Sequence, residues 1–498
     1  MSRPNAMPPL SRIPTAFFVF SLALLLYVLT LAPTIGWGDS ADLALRMKAD
    51  VEGIYYGRSR SYLLYRTVGH LFQTIPLGDI GWRTNLMAAF FGAGSVALVY
   101  VISLRLALGK AAALAAAISL AVGHSFWFMS VTAEVYTFNI FIILMALWMY
   151  LDWLENRSPV FFLLLMVFVG LAASHHVTGW FLSGCFLLAV LIDRKRPSLL
   201  LLILGLMLLW LGSVFYWLRL RDALDLGIPV PRAYGFSQYK NQFHSYSLWK
   251  SVLDFLIQFL YNFPLAAFFI GIFGVFSSYA GGQLRRLAPL VLFSFIIIAG
   301  GISSSIPDKF NVYVLVWPLF SLFVGIGFFY AMEKFSRVKA YRQTLLSLLL
   351  AGPILVYGSC VLASHALGID LTGARTAPYR DNATYFLWPP KNGDYGPRIY
   401  AEKALAAATQ GSVILADYTL WRPLRYKQIV EEERKDVEIL LVENVIEEGG
   451  VVGYLDSLSG KKTVYLATNT PKSYYQLDRV LEKYRLAQNG DLYEILPK

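Results

Sequence analysis

Long apolar runs recur through the first three quarters of the chain, and few folds can accommodate them. About 20 apolar residues coiled as a helix cross roughly 30 Å of hydrocarbon, and lipid offers no partner for an unpaired backbone group. Runs of this kind fall at approximately 14–36, 84–104, 111–130, 135–153, 160–174, 177–193, 198–218, 251–278, 288–304, 312–331 and 345–366. That is about 11 spans, the fifth and sixth of them short. With 57% apolar and only 15% charged residues among 498, a soluble globule is excluded. The expected fold is mostly α: a polytopic membrane protein over residues 1–366.

A net charge of +11 would suggest nucleic acid for a soluble chain. Here the charges sit in alternate connections instead. Arg3 and Arg12 precede the first run, and Arg105 with Lys110, Arg157, the triplet Arg194, Lys195 and Arg196, then Arg285 with Arg286, and Lys334 to Arg342 follow on the same side. That is the bias of cytoplasmic loops, so no nucleic-acid partner is expected. The first run could serve as a secretory signal, but cleavage after "LAPT" would cut into the polar segment beyond it, and we read it as a retained span. Cys185 and Cys360 both lie in apolar runs and read as small buried hydrophobes.

Beyond residue 366 the composition turns polar. "GSVILADY", "VEILLVE" and "KTVYLAT" read as buried strands, with a helix over "WRPLRYKQIVEEERKD". Residues 367–498 are thus expected to form a small α/β domain, placed outside the membrane by parity. It carries no glycine-rich phosphate loop, and it reads as a packing or acceptor-docking module. Asn382, Ala383 and Thr384 fit a glycosylation sequon, a pattern so short that chance explains most of its occurrences.

This orientation sets basic residues on the face that topology disfavours: Arg46, Lys48, Arg58, Arg60, Arg66 and Arg83 in the first outward loop, Arg219, Arg221, Arg232 and Lys240 in a later one, and Lys309 in a third. Guanidinium groups match phosphate oxygens with paired hydrogen bonds, so an anionic head group accounts for the set; lipid phosphates or pairing with Asp50 and Glu52 are the plainer account. Asp39 and Asp42 stand just beyond the first span. Glu134 occupies a short apolar-flanked connection, where a carboxylate is costly unless paired or used. A carboxylate acting as general base opposite phosphate-binding cations makes a workable group-transfer site, with Asp39, Asp42 and Glu134 as its catalytic candidates. The residues assigned to substrate are Tyr56, Arg58, Arg60, Arg66, His175, His176 and Lys309. Adjacent histidines point to different sides of a helix, so His175 and His176 read as polar substrate contacts or satisfied interfacial groups. No metal is assigned to them.

The stretches "LAPTIGWGDSADL", "SYLLYRTVGHLFQTIPLGDIGWRTNLMAAFFGAGSVALVYVISLRL", "TAEVYTFNIF" and "SHHVTGW" occur in that order. They resemble the bacterial branch of the family that includes the transmembrane O-mannosyltransferase of plexin-type domains, within the GT-C superfamily of multi-spanning glycosyltransferases. The resemblance runs from about residue 25 to 320. It implies transfer of a sugar, mannose by the family's habit, from a polyprenyl-phosphate donor to an acceptor hydroxyl on protein, glycan or lipid. It also implies an active site on the outer, periplasmic face of a bacterial inner membrane. By that pattern Asp39 is the catalytic base, Asp42 stands where relatives carry glutamate, and the intact "AEVY" supports Glu134. No further cofactor is implied, and a metal requirement is left open.

In one place the sequence departs from its relatives. Where they carry "HPPGYPLY" this chain reads "YGRSRSYLLY", so Arg58 and Arg60 replace part of that element. Two added guanidiniums predict a more anionic donor or acceptor. Replacing both by alanine should weaken donor binding and turnover; unchanged binding and turnover would remove them from recognition. Two other functions fit many spans and outward cations less closely. A lipid-linked glycan transporter or flippase would show Gly- or Pro-broken spans in paired halves and charge near the bilayer midplane. A scaffold would be indifferent to Asp39→Asn.

Overall fold

A computed structural model describes residues 13–49, 62–106, 108–214, 216–218, 248–304, 309–335, 341–447, 450–470 and 475–498. Tyr56, Arg58, Arg60, Asp50, Glu52, Arg219, Arg221, Arg232 and Lys240 lie outside the described residues.

The apolar runs fold as helices. The main ones, in chain order, are α1 (Ile13–Leu29), α2 (Asp39–Ala49), α3 (Leu63–Gln73), α4 (Ile80–Arg105), α5 (Lys110–Ala121), α6 (His124–Val131), α7 (Tyr136–Asn156), α8 (Pro159–His175), α9 (Thr178–Ile192), α10 (Leu199–Gly212), α11 (Leu248–Asn262), α12 (Ala266–Ala280), α13 (Ala288–Ser303), α14 (Trp317–Lys334) and α15 (Arg342–Leu367). Among the described residues three helices, α4, α7 and α15, are long and apolar enough to cross a membrane in one piece, or up to five spans if each of two bent pairs counts as one. The expected count of about 11 spans, the fifth and sixth short, is therefore not confirmed. Several apolar helices are short: 15 residues of α9 rise only about 22 Å. α15 has 22% of its most apolar stretch buried, against 78% for α7, so α15 turns most of its surface outward while α7 sits in the core.

The run 251–278 is not one span. α11 and α12 meet at 107°, at a corner holding Pro264, which cannot donate a backbone hydrogen bond, and Leu265, whose φ is 54°. Apolarity reports burial but not direction, which is why the run read as continuous. A second break, of 66°, separates α5 from α6 at Gly123. Here several of the freed backbone groups find side-chain partners. Tyr27 of α1 donates to the Ala121 carbonyl at 3.0 Å and Tyr357 of α15 to the Val122 carbonyl at 3.0 Å. The Ser125 amide donates to Asn262 Oδ1 at 2.7 Å. With no water inside such a bundle, these side chains make the break affordable. Elsewhere close packing depends on missing side chains: a Cβ on Gly274 of α12 would collide with the Phe323 carbonyl of α14, and one on Gly327 with the Ile270 carbonyl.

After α15 the chain builds a five-stranded sheet in the order β2-β1-β3-β5-β4. β1 (Val413–Ala416) runs parallel to β2 (Glu438–Leu441) and to β3 (Val464–Leu466), while β4 (Tyr484–Asn489) and β5 (Leu492–Pro497) add an antiparallel hairpin. β1 is buried on both faces, as a central parallel strand should be. Its Ile414 and Ala416 pack under α16 (Gly396–Ala407) and α17 (Tyr418–Val430) through Tyr400, Ala404, Leu420 and Leu424. Val413 and Leu415 face the opposite layer, with Val445, Leu455 and Val480. The strands and helix expected over 411–443 and 462–468 are present; α16 and the terminal hairpin were not foreseen. The sequon asparagine is engaged in the fold, its Nδ2 donating to the Ala374 carbonyl at 2.8 Å.

Candidate active site

Between α1 and α4 the described residues include two helices, α2 and α3. Gly38, at φ +56°, turns the chain, and α2 begins at Asp39, with Asp42 also in its first turn and Arg46 and Lys48 in its last. Acid at the amino end and base at the carboxyl end both complement the helix dipole. The packing of α2 separates its two carboxylates. Asp39 is exposed, whereas Asp42 is 7% exposed and held between two guanidiniums. Arg46 Nε reaches Asp42 Oδ2 at 2.7 Å, and Arg422 of α17 bonds Asp42 Oδ1.

α17 lies along α2, joined by Ile35, Ala41, Ala44, Leu45 and Tyr426. Its first residue, Tyr418, donates its hydroxyl to Asp39 Oδ1. The ring of Tyr418 lies beneath the Arg422 guanidinium, 4.4 Å from the centroid. Asp417, fully buried, caps α17 by accepting from the amides of Thr419 and Leu420, and it also receives Tyr475 at 2.9 Å and Arg375. Both ends of the junction are thus fixed by charge. Burial pulls the Arg422 guanidinium down to about 9, still charged at neutral pH, so the Asp42 contact is ionic.

Two further latches hold the sheet to the bundle. Asp79 caps α4 through the Trp82 amide at 2.7 Å and binds Arg398 at 3.1 Å, and Arg398 also grips Glu431 with two bonds of 2.9 and 3.2 Å. Lys391 enters from the other side, its amide donating to the Thr30 carbonyl at 2.8 Å. Its buried ammonium meets the carbonyls of Trp388, Pro389 and Pro390 and stands 4.6 Å above the Phe128 ring. Burial still pushes it down to about 7. A lysine held at 7 when folded and at 10.5 when unfolded releases its proton earlier in the folded state. Stability should therefore rise with pH across 7 to 10.5 and be flat below, and Lys391→Met should remove that slope. Thermal unfolding in detergent at several pH values measures it; an identical slope in the variant would contradict the assignment.

The segments bearing Asp39 and Glu134 are joined at their bases. The Ala32 amide donates to the Val131 carbonyl at 2.9 Å, and the Asn85 side chain ties the Ala32 and Thr34 carbonyls to the Ala133 amide. Glu134 follows directly, half-buried, between α6 and α7. His175 is a buried core group: its Nε2 is 3.0 Å from the Val135 carbonyl and its ring packs on Tyr62, Tyr65 and Phe138, while its Nδ1 meets no hydrogen-bond partner among the described residues. His176 is half-buried, bonded to Thr178 at 2.8 Å and stacked on Tyr62. Arg66, buried in α3, donates to the Arg46 carbonyl at 3.3 Å and so supports the end of α2. Lys309 is buried against Ser251 at 2.7 Å. The expected first wall, Asp39 with Asp42, stands against α17; Glu134 and the histidines gather beside Tyr62 and Tyr65.

Tyr418, Arg422 and Lys391 were not singled out from the sequence. Asp417 ahead of an apolar-periodic stretch marks the start of α17, but no local pattern says that this helix meets α2.

Residues 61–199 match the family described as Protein O-mannosyl-transferase TMEM260 N-terminal domain. That stretch holds Arg66, Glu134, His175 and His176, and begins after Asp39 and Asp42; it is shorter than the 25–320 over which the sequence shows resemblance. Among solved structures the chain is similar to ArnT from Cupriavidus metallidurans, bound in that structure to undecaprenyl phosphate. The TM-score is 0.59 at 14% identity, over 96% of this chain and 97% of that one, which shows a shared fold. The family match and this fold together support the resemblance to GT-C membrane glycosyltransferases.

Proposed function

We propose that this chain transfers a sugar, with mannose the family-led choice, from a polyprenyl-phosphate donor to an acceptor hydroxyl, with Asp39 as general base. The observation that carries the reading is the division of labour at α2: Asp42 is buried in an ionic clamp, while Asp39 is exposed at the same helix end and held by one hydrogen bond. In the step, the acceptor oxygen bonds to the anomeric carbon as its proton passes to Asp39. The bond from that carbon to the phosphate oxygen breaks, and polyprenyl phosphate leaves with the electron pair. Asp42 positions α2, and we assign Glu134 as the second acidic group. To the substrate we assign Arg66, Lys309, His175 and His176, together with Tyr56, Arg58 and Arg60, which lie outside the described residues. The lipid in the ArnT structure supports a polyprenyl-phosphate donor.

We place residues 1–366 in the membrane as the catalytic part, with residues 367–498 and the site on the outer face of a bacterial inner membrane. The charge bias of the connections supports that orientation. A second reading, a lipid-linked glycan transporter, draws support from the broken spans at Gly123 and Pro264. Membrane vesicles given a polyprenyl-phosphate sugar labelled in the sugar separate the two. The enzyme moves label onto an acceptor and frees polyprenyl phosphate; a transporter moves intact donor between leaflets with no change in its chemistry.

A further inference from the structure

We infer that Tyr418, which lies beyond the last membrane helix, is a positioning residue for the base, so that the site is completed by α17. The inference rests on the reading of Asp39 as the base.

Tyr418 and Asp39 are 379 residues apart in sequence, yet the phenol donates directly to Asp39 Oδ1. Three features fix that donor. It is the first residue of α17, whose cap Asp417 is fully buried and receives two amides, Tyr475 and Arg375. Its ring is covered by Arg422, whose guanidinium is clamped on Asp42 one helical turn from Asp39. The apolar seam of Ile35, Ala41, Leu45 and Tyr426 keeps α2 and α17 in register.

A carboxylate free to rotate presents either oxygen in any direction. One charge-assisted hydrogen bond to Oδ1 selects an orientation and leaves Asp39, which stays exposed, able to meet an acceptor hydroxyl through its other oxygen. Among the described residues the charged groups around Asp39 are Asp42 and Arg46 on α2, Arg66 and His70 on α3, and Arg422 on α17, with Glu443 beyond β2 close enough to act on Arg422. Tyr418→Phe changes none of them and keeps the ring under Arg422. It removes the hydroxyl that Asp39 accepts from.

The test measures sugar transfer in full-length protein in membranes, using a labelled polyprenyl-phosphate sugar, for wild type, Tyr418→Phe, Asp39→Asn and the double variant. Tyr418→Phe should lower kcat by about tenfold with KM for the donor little changed. The melting temperature should stay near that of wild type, and Tyr418→Phe should lower the residual transfer of Asp39→Asn no further. If Asp39→Asn is inactive while Tyr418→Phe keeps the wild-type kcat, the positioning role is overturned and the base stands. If Asp39→Asn transfers normally, the base itself is wrong. A fall in kcat with a lowered melting temperature, or one that recurs in full on top of Asp39→Asn, would mean a purely structural tyrosine, and would also overturn the inference.

Discussion

Asp39→Asn is expected to cut sugar transfer by about 10²- to 10⁴-fold, the usual contribution of a positioned general base, while leaving the amount and melting temperature of folded protein unchanged. The substitution is nearly isosteric, and its amide oxygen can still accept from the Tyr418 hydroxyl. Asp39 is exposed, so little burial energy is at stake. What the amide cannot do is take a proton. A loss in transfer accompanied by loss of folded protein would not count, which is why the two are measured on the same membranes. Asp42→Asn should behave in the opposite way. That carboxylate lies between Arg46 and Arg422, so its neutralisation leaves two buried cations without their shared anion and lowers stability first, activity only as a consequence.

Arg422→Met carries the second large effect. Arg422 is 1% exposed and makes the charged contact across the junction of α2 and α17. Removing one member of a buried ion pair costs at most about 3–5 kcal/mol, and here Asp42 keeps Arg46 as a partner at 2.7 Å, which lowers the cost. The loss is local at first. α17 should loosen from α2, Tyr418 should lose the cation over its ring, and proteolysis should begin between α15 and the sheet before the bundle unfolds. In a double-mutant cycle with Asp42→Asn the two losses should be less than additive, since both remove the same contact. Strictly additive losses would show that the pair is not coupled as the geometry requires.

The helices were legible because hydrophobic burial in lipid demands long apolar runs, although the runs 111–130 and 251–278 each fold as two helices. Their directions were not legible: the corner at Pro264 and the break at Gly123 depend on distant tyrosines and Asn262 to absorb freed backbone groups. The amphipathic α2 and α3 were hidden in what read as a charged loop, since their apolar faces are short and broken by charge. The terminal hairpin carried a usable signal, a Gly490-Asp491 pair between alternating strands, with Gly490 at φ +60°. At the site, Asp39, Asp42 and Glu134 could be picked out as costly carboxylates, but sorting an exposed one from a clamped one required the partner helix. Arg422 and Tyr418 look like ordinary members of a polar stretch until α17 is laid on α2.

The central claim is that Asp39 drives a transfer that releases polyprenyl phosphate. Its most direct measurement follows both products in one experiment: purified protein in liposomes, a polyprenyl-phosphate mannose labelled in sugar and lipid, and an acceptor-containing membrane extract. Wild type should move the sugar and free the polyprenyl phosphate in equal amounts, and Asp39→Asn should do neither. Equal rates for the two proteins, or sugar transferred with no polyprenyl phosphate released, would contradict it.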